Sequence, residues 1–67
     1  MKVIEITSRI FAATEISIVT HYTFPDGRRH QHTLWTGYVN EVPDGLLEKN
    51  VFGIEAVDED RIFIHIF

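Results

Sequence analysis

The chain contains no cysteine. Disulfide staples and thiolate metal sites are therefore excluded, and with them the small secreted scaffolds that depend on such staples. A cytoplasmic location is the default expectation. Long apolar runs are missing as well. The longest span only a few residues, far short of the ~20 that a membrane-crossing helix needs. No stretch has the layout of a signal peptide, and the strand-like run at the N-terminus is expected to open the domain directly.

Positive charge is also scarce, with 6 Lys and Arg against 10 Asp and Glu, a net charge of −4. The balance is uneven along the chain. Residues 1–40 carry Lys2, Arg9, Arg28 and Arg29 against Glu5, Glu15 and Asp26, four minus three, or +1. Residues 41–67 carry Lys49 and Arg61 against Glu41, Asp44, Glu48, Glu55, Asp58, Glu59 and Asp60, two minus seven, or −5. Generic nucleic-acid binding through phosphates is not expected of such a chain. An acidic surface suits a basic partner, or simply keeps the protein soluble.

Catalytic motifs are lacking too. Ser8 and Ser17 are the only serines, and neither sits in a Gly-x-Ser-x-Gly turn. The four glycines are scattered, so no phosphate-cradling loop exists. Asp58-Glu59-Asp60 lacks the spacing and the glycine of a calcium loop and reads as a solvated hairpin tip. No residue is assigned a catalytic, cofactor-binding or metal-ligating role, and the chain is expected not to be an enzyme. His30-x-His32 places two imidazoles on one strand face, but a zinc site needs at least three protein ligands. The simpler expectation has His30 stacked across from Tyr22.

What remains is 67 residues, enough for a single domain over 1–67, with an apolar fraction of 45% that argues for a folded chain. The dominant period is two. "KVIEITSRIF" sets Ile4, Ile6 and Ile10 against Val3, Glu5 and Arg9, which reads as a first strand. The local alternative is a helix near 8–15 with Ser8 as its N-cap. "EISIVTHYTF" alternates Ile16, Ile18, Tyr22 and Phe24 on one face. Pro25-Asp26-Gly27 is the strongest turn signal, with Gly27 suited to the left-handed position of a three-residue hairpin loop. That loop pairs Phe24 with Arg28, Tyr22 with His30, Thr20 with His32, Ile18 with Leu34 and Ile16 with Thr36. Residues 43–50 suggest one helical turn ended by Asn50. "VFGIEAV" and "RIFIHIF" form the last hairpin. A loop of Asp58-Glu59-Asp60, with Asp60 left-handed, pairs Ala56 with Ile62, Ile54 with Ile64, and Phe52 with Ile66.

The fold expected is mainly β: about five antiparallel, hairpin-connected strands in a bent sheet or SH3-like small barrel, with the short helical turn near 43–50. Alternation puts Trp35 on the face shared with Arg29, opposite Leu34 and Tyr38. Arg28, Arg29, Trp35 and Tyr38 are then the candidate contact residues for another protein. Phe63 and Phe67 flank His65 on the face turned away from Ile62, Ile64 and Ile66, and Gly53 opposite His65 leaves room for its ring. A strand apolar on both faces is either covered or part of an interface. Phe63, His65 and Phe67 are therefore the candidate self-association residues, in a homodimer that joins strand to strand if this strand is an open edge. The function expected is that of a non-enzymatic acidic binding protein. Its size and charge are those of small inhibitors and adaptors of mobile elements, an analogy of composition alone. The alternative is a nucleic-acid-binding small barrel that uses the Arg28/Arg29/Trp35 region.

Overall fold

A computed structural model describes all 67 residues. In chain order the elements are helix α1 (Val3–Thr7), strands β1 (Glu15–Thr23) and β2 (Arg29–Tyr38), a single 3-10 turn (Val39–Glu41), helix α2 (Asp44–Leu47), and strands β3 (Val51–Asp58) and β4 (Arg61–Ile66). The strands form one four-stranded sheet in the order β2-β1-β4-β3. The two hairpins are antiparallel, and they join through a parallel pairing of β1 with β4, from Glu15 opposite Arg61 to Thr20 opposite Ile66. The sheet is mixed and open. It has four strands instead of the five expected, and it does not close into a barrel.

The missing fifth strand is α1. Val3, Ile6 and Thr7 are buried and Ile10 is partly buried against the same core. This i, i+3, i+4, i+7 spacing lines one side of a helix, whereas the period-two reading would have buried Ile4, which is exposed. Nor does a helix span 8–15: Ser8 caps the C-terminal end of α1, its N–H donating to the Ile4 carbonyl at 3.2 Å. Residues before the helix are tied to the segment entering β3. Lys2 bridges to Asn50, the Val3 N–H donates to the Lys49 carbonyl at 3.0 Å, and the Val51 N–H to the Met1 carbonyl at 2.7 Å. The Lys2 ammonium donates to Glu48 at 2.9 Å, and that hydrogen bond, with the attraction of the same carboxylate, raises its pKa above the ordinary lysine value. The helical turn expected near 43–50 is α2, although Asn50 does not adopt the left-handed conformation.

The core lies on one side of the sheet. Ile16 and Ile18 of β1 and Ile64 and Ile66 of β4 are almost wholly removed from solvent and meet Val3, Ile6 and Val42. Burying an isoleucine side chain this completely contributes about 1.5–3 kcal/mol. Leu46 and Leu47 of α2 pack on the same cluster, so both helices cover the same face.

The Pro25-Asp26-Gly27 loop is as the sequence indicates. Gly27 has φ +89°, its N–H donates to the Phe24 carbonyl at 2.9 Å, and the Phe24 N–H donates to the Arg28 carbonyl at 2.8 Å. Tyr22 pairs with His30 and Thr20 with His32. Beyond that point the expected register breaks. Val19 pairs with Thr33 but Ile18 with Trp35, which leaves Leu34 as the extra residue of a bulge. Trp35 is thereby turned onto the core face, packed against the isoleucine cluster, and not onto the face of Arg29. The last hairpin shows the same effect. Ala56 pairs with Ile62 and Ile54 with Ile64 as expected, but Phe52 and Val57 are extra residues, and Val51 takes the place opposite Ile66. Asp58 pairs with Arg61, so the turn holds two residues, and Asp60 is not left-handed.

Rotation of Trp35 into the core requires space beside it, and Gly37 supplies that space. A Cβ at position 37 would lie 2.6 Å from Cζ2 of the Trp35 ring, closer than real contacts allow. Gly37→Ala is expected to cost about 1–3 kcal/mol by overpacking, read as a lower urea midpoint with altered Trp35 fluorescence. An unchanged midpoint would mean that the indole is free to move aside.

Candidate functional site

The four candidate contact residues do not form one patch. Arg28 sits at the β1–β2 hairpin tip, where its Nε donates to Asp26 at 2.7 Å and its guanidinium lies 5.5 Å from the Phe24 ring centre. Arg29 is exposed at the start of β2. Tyr38 is exposed at the other end of the same strand, nine residues or about 30 Å away. Trp35 belongs to the core face. His30 packs with Tyr22 and Phe24 at ring separations of 5.1 and 5.9 Å.

The other sheet face carries no helix. Ser17, Val19 and His21 of β1 point to it, opposite to Ile16 and Ile18. In the parallel register Ser17 is beside Phe63 and Val19 beside His65. The C-terminal strand is thus central, with β1 on one side and β3 on the other, and it offers no edge for strand-to-strand pairing. Phe63, His65 and Phe67, the candidate self-association residues, lie on or beside this open face.

The sequence reading missed three side chains that the fold gathers around them. His21 Nε2 lies 2.7 Å from His65 Nδ1, and His65 Nε2 lies 3.1 Å from a Glu55 carboxylate oxygen. The two imidazoles meet edge to edge. Their centres are 4.9 Å apart with planes 29° from parallel, the spacing of rings joined through facing nitrogens. Because Glu55 can only accept when ionised, it holds a proton on His65 Nε2. With His65 neutral, its Nδ1 then accepts from the His21 Nε2–H. Phe52, the extra residue of its bulge, closes the group, with ring centres 5.5 Å from His21, 5.9 Å from His65 and 5.0 Å from Phe67. Gly53 pairs with His65, and a Cβ there would reach the imidazole at 4.0 Å. The pairing of Gly53 with His65 is as the sequence indicates, but 4.0 Å is ordinary van der Waals contact, so the ring does not require a glycine there. Only the parallel pairing brings His21 near His65, and no local signal announces it.

The chain's one surface depression is open and shallow, lined by Ala12, Ala13, Tyr38, Asn40 and Glu41, and it contains no nucleophile–base pair. No helix is long and apolar enough to cross a membrane. The arrangement with chemical character is the Glu55–His65–His21 chain set among phenylalanines.

The hydrogen-bond order fixes the His65 tautomer. Nitrogen-15 NMR of the imidazoles should show His65 as the Nε2–H form, and Glu55→Ala should convert it to a mixture of tautomers while leaving backbone shifts distant from β3 and β4 in place. A mixture already present in the wild type would contradict the order. No protein-family model matches the chain, and neither curated proteins nor solved structures give a match.

Proposed function

We propose that this chain is a non-enzymatic protein-interaction module that pairs with a second copy of itself through the open sheet face. The observation that carries the reading is an aromatic surface on a face that no helix covers. Phe67 is 79% exposed and Phe52 51% exposed, and the partly buried Phe63 and the mostly buried His65 lie beside them. Exposed apolar surface gathered in one patch favours association in water.

The limited core supports the same reading. Only eight hydrophobic residues are buried, and the accessible surface of 4717 Å² exceeds the about 4,400 Å² expected of a compact monomer of this mass. Four strands spaced at ~4.8 Å and six residues at ~3.3 Å give a face of about 19 by 20 Å. With side-chain relief it offers on the order of 600 Å² of accessible surface, at the low end of what each partner brings to a stable interface. Two copies stacked on these faces form the two-layer sandwich by which open sheets complete a core. Contact with a further protein falls to the surfaces left outside, among them the hairpin tip with Arg28, Phe24 and Tyr22. The nucleic-acid alternative has less support, because Trp35, its stacking platform, faces the core and not the arginines.

Light scattering at high micromolar concentration, in buffer without chelator, should give twice the 7.8 kDa chain mass. Phe52→Asp combined with Phe67→Asp should return the mass to that of one chain with an unchanged circular dichroism spectrum. A wild-type monomer under these conditions would refute self-association.

A further inference from the structure

The facing nitrogens of His21 and His65 have a chemistry beyond packing. Glu55 fixes the proton of His65 on Nε2, so Nδ1 presents its lone pair toward His21. A carboxylate behind an imidazole is the outer-shell arrangement that orients a histidine and raises its basicity as a metal ligand. Imidazole nitrogens suit zinc, copper and nickel. Two nitrogens bound to one tetrahedral zinc, each at ~2.0 Å, stand about 3.3 Å apart. The present separation of 2.7 Å reaches that value if each ring retreats by about 0.3 Å and tilts by about 35°, so that the two nitrogen lone pairs converge on one centre and no longer point at each other. His21 then carries its proton on Nδ1 and offers Nε2 to the metal.

One chain supplies too few ligands. No group of three or more His, Cys, Asp or Glu converges within it, whereas a closed structural zinc site takes four. A twofold axis through the open face supplies the other two. We propose that His21 and His65 of two copies together form a four-nitrogen site for a zinc-class ion at the centre of the paired faces. The inference rests on the reading of that face as a self-association surface and adds a ligand to it.

The register of charges favours the same axis. Val19 pairs with His65 near the centre of the sheet. Arg29 pairs with Thr23, four residues beyond Val19 (23 minus 19), and has no ion-pair partner in its own chain. Glu15 pairs with Arg61, four residues before Val19 (19 minus 15), and Arg61 pairs with Asp58. Strand alternation puts Arg29, Val19 and Glu15 on one face, with arms of about 13 Å on either side of Val19. At the acidic end Arg61 lies 3.6 Å from Glu15 and 4.0 Å from Asp58, and Glu59 and Asp60 lie in the adjoining turn, so carboxylates outnumber the single arginine. A twofold across the strands at the Val19–His65 pair lays the Arg29 end of each copy over the acidic end of the other. The same axis brings the four histidines together.

The test uses the full chain stripped of metal with EDTA and then titrated with zinc chloride. Mass is followed by light scattering, and bound metal by elemental analysis after desalting. The expected result is one zinc per two chains and a dimer at least ten-fold tighter with zinc than in EDTA. His21→Phe, which keeps an aromatic ring, should lose the bound zinc and the zinc response. His30→Gln with His32→Gln should keep both, and loss of the response in that variant would move the site to the hairpin and overturn the proposal. Zinc bound without any tightening of the dimer across a dilution series, or no retained zinc, overturns the metal site. If in that case the dimer persists in EDTA, the open-face reading stands without the metal. A monomer in both EDTA and zinc overturns the two together.

Discussion

The parallel pairing of β1 with β4 is the constraint on which the rest of the molecule depends. Each hairpin alone is a two-stranded ribbon, and such ribbons are marginal in water. Joined along Glu15–Thr20 and Arg61–Ile66, they place four isoleucines in a block that neither hairpin could bury by itself. That block gives α1 and α2 a surface to pack on, and the covering of the first face follows. The same ladder sets His65 beside Val19 on the reverse side and within reach of His21. Core and candidate site are therefore two sides of one pairing.

The two faces differ because the chain has covering material for one only. Ten residues of helix and connecting turn at the N-terminus, with α2 and Val42, cover the isoleucines of β1 and β4, while Ile54 on the outer strand stays exposed. Trp35 is drawn to that side by its bulge, and Gly37 makes the space. The reverse side is left with imidazoles, phenylalanines, Ser17 and Thr36, the last two joined by a 2.9 Å hydroxyl hydrogen bond. Val19 is fully buried there even so, between Thr33 and His65 in the register.

The two hairpins were legible in the sequence wherever a turn residue fixed the register. Gly27 specifies a left-handed position, and the pairs nearest it, Tyr22 with His30 and Thr20 with His32, follow from that one residue. Ala56 with Ile62 and Ile54 with Ile64 follow from matching apolar residues. Farther along, the bulges at Leu34 and Val57 have no glycine or proline beside them, and Gly53, next to the bulge at Phe52, reads equally as a packing residue, so alternation projected through them puts Trp35 and Phe52 on the wrong sides. The first segment misled because Ile4, Ile6 and Ile10 satisfy a period of two, while Val3, Ile6, Thr7 and Ile10 satisfy the helical one. Packing against the sheet decided between them, and packing is not local. The same holds for the candidate site. Phe63, His65 and Phe67 were found by their alternation against three isoleucines. Their neighbours His21, Glu55 and Phe52 come from strands whose adjacency depends on the parallel ladder.

The three bulges share one property of place. Leu34 belongs to β2, and Phe52 and Val57 to β3, the two outer strands, and the pairing of central β1 with β4 is regular throughout. An outer strand of even pitch offers a row of free N–H and C=O groups to any passing strand, and repetition of that contact builds ribbons without end. A strand interrupted by an extra residue is bent and locally overtwisted, and its free groups fall out of step with those of a regular neighbour. Growth sideways is thus discouraged at both margins. Contact through the flat of the sheet uses up the same patch on both partners and stops at two.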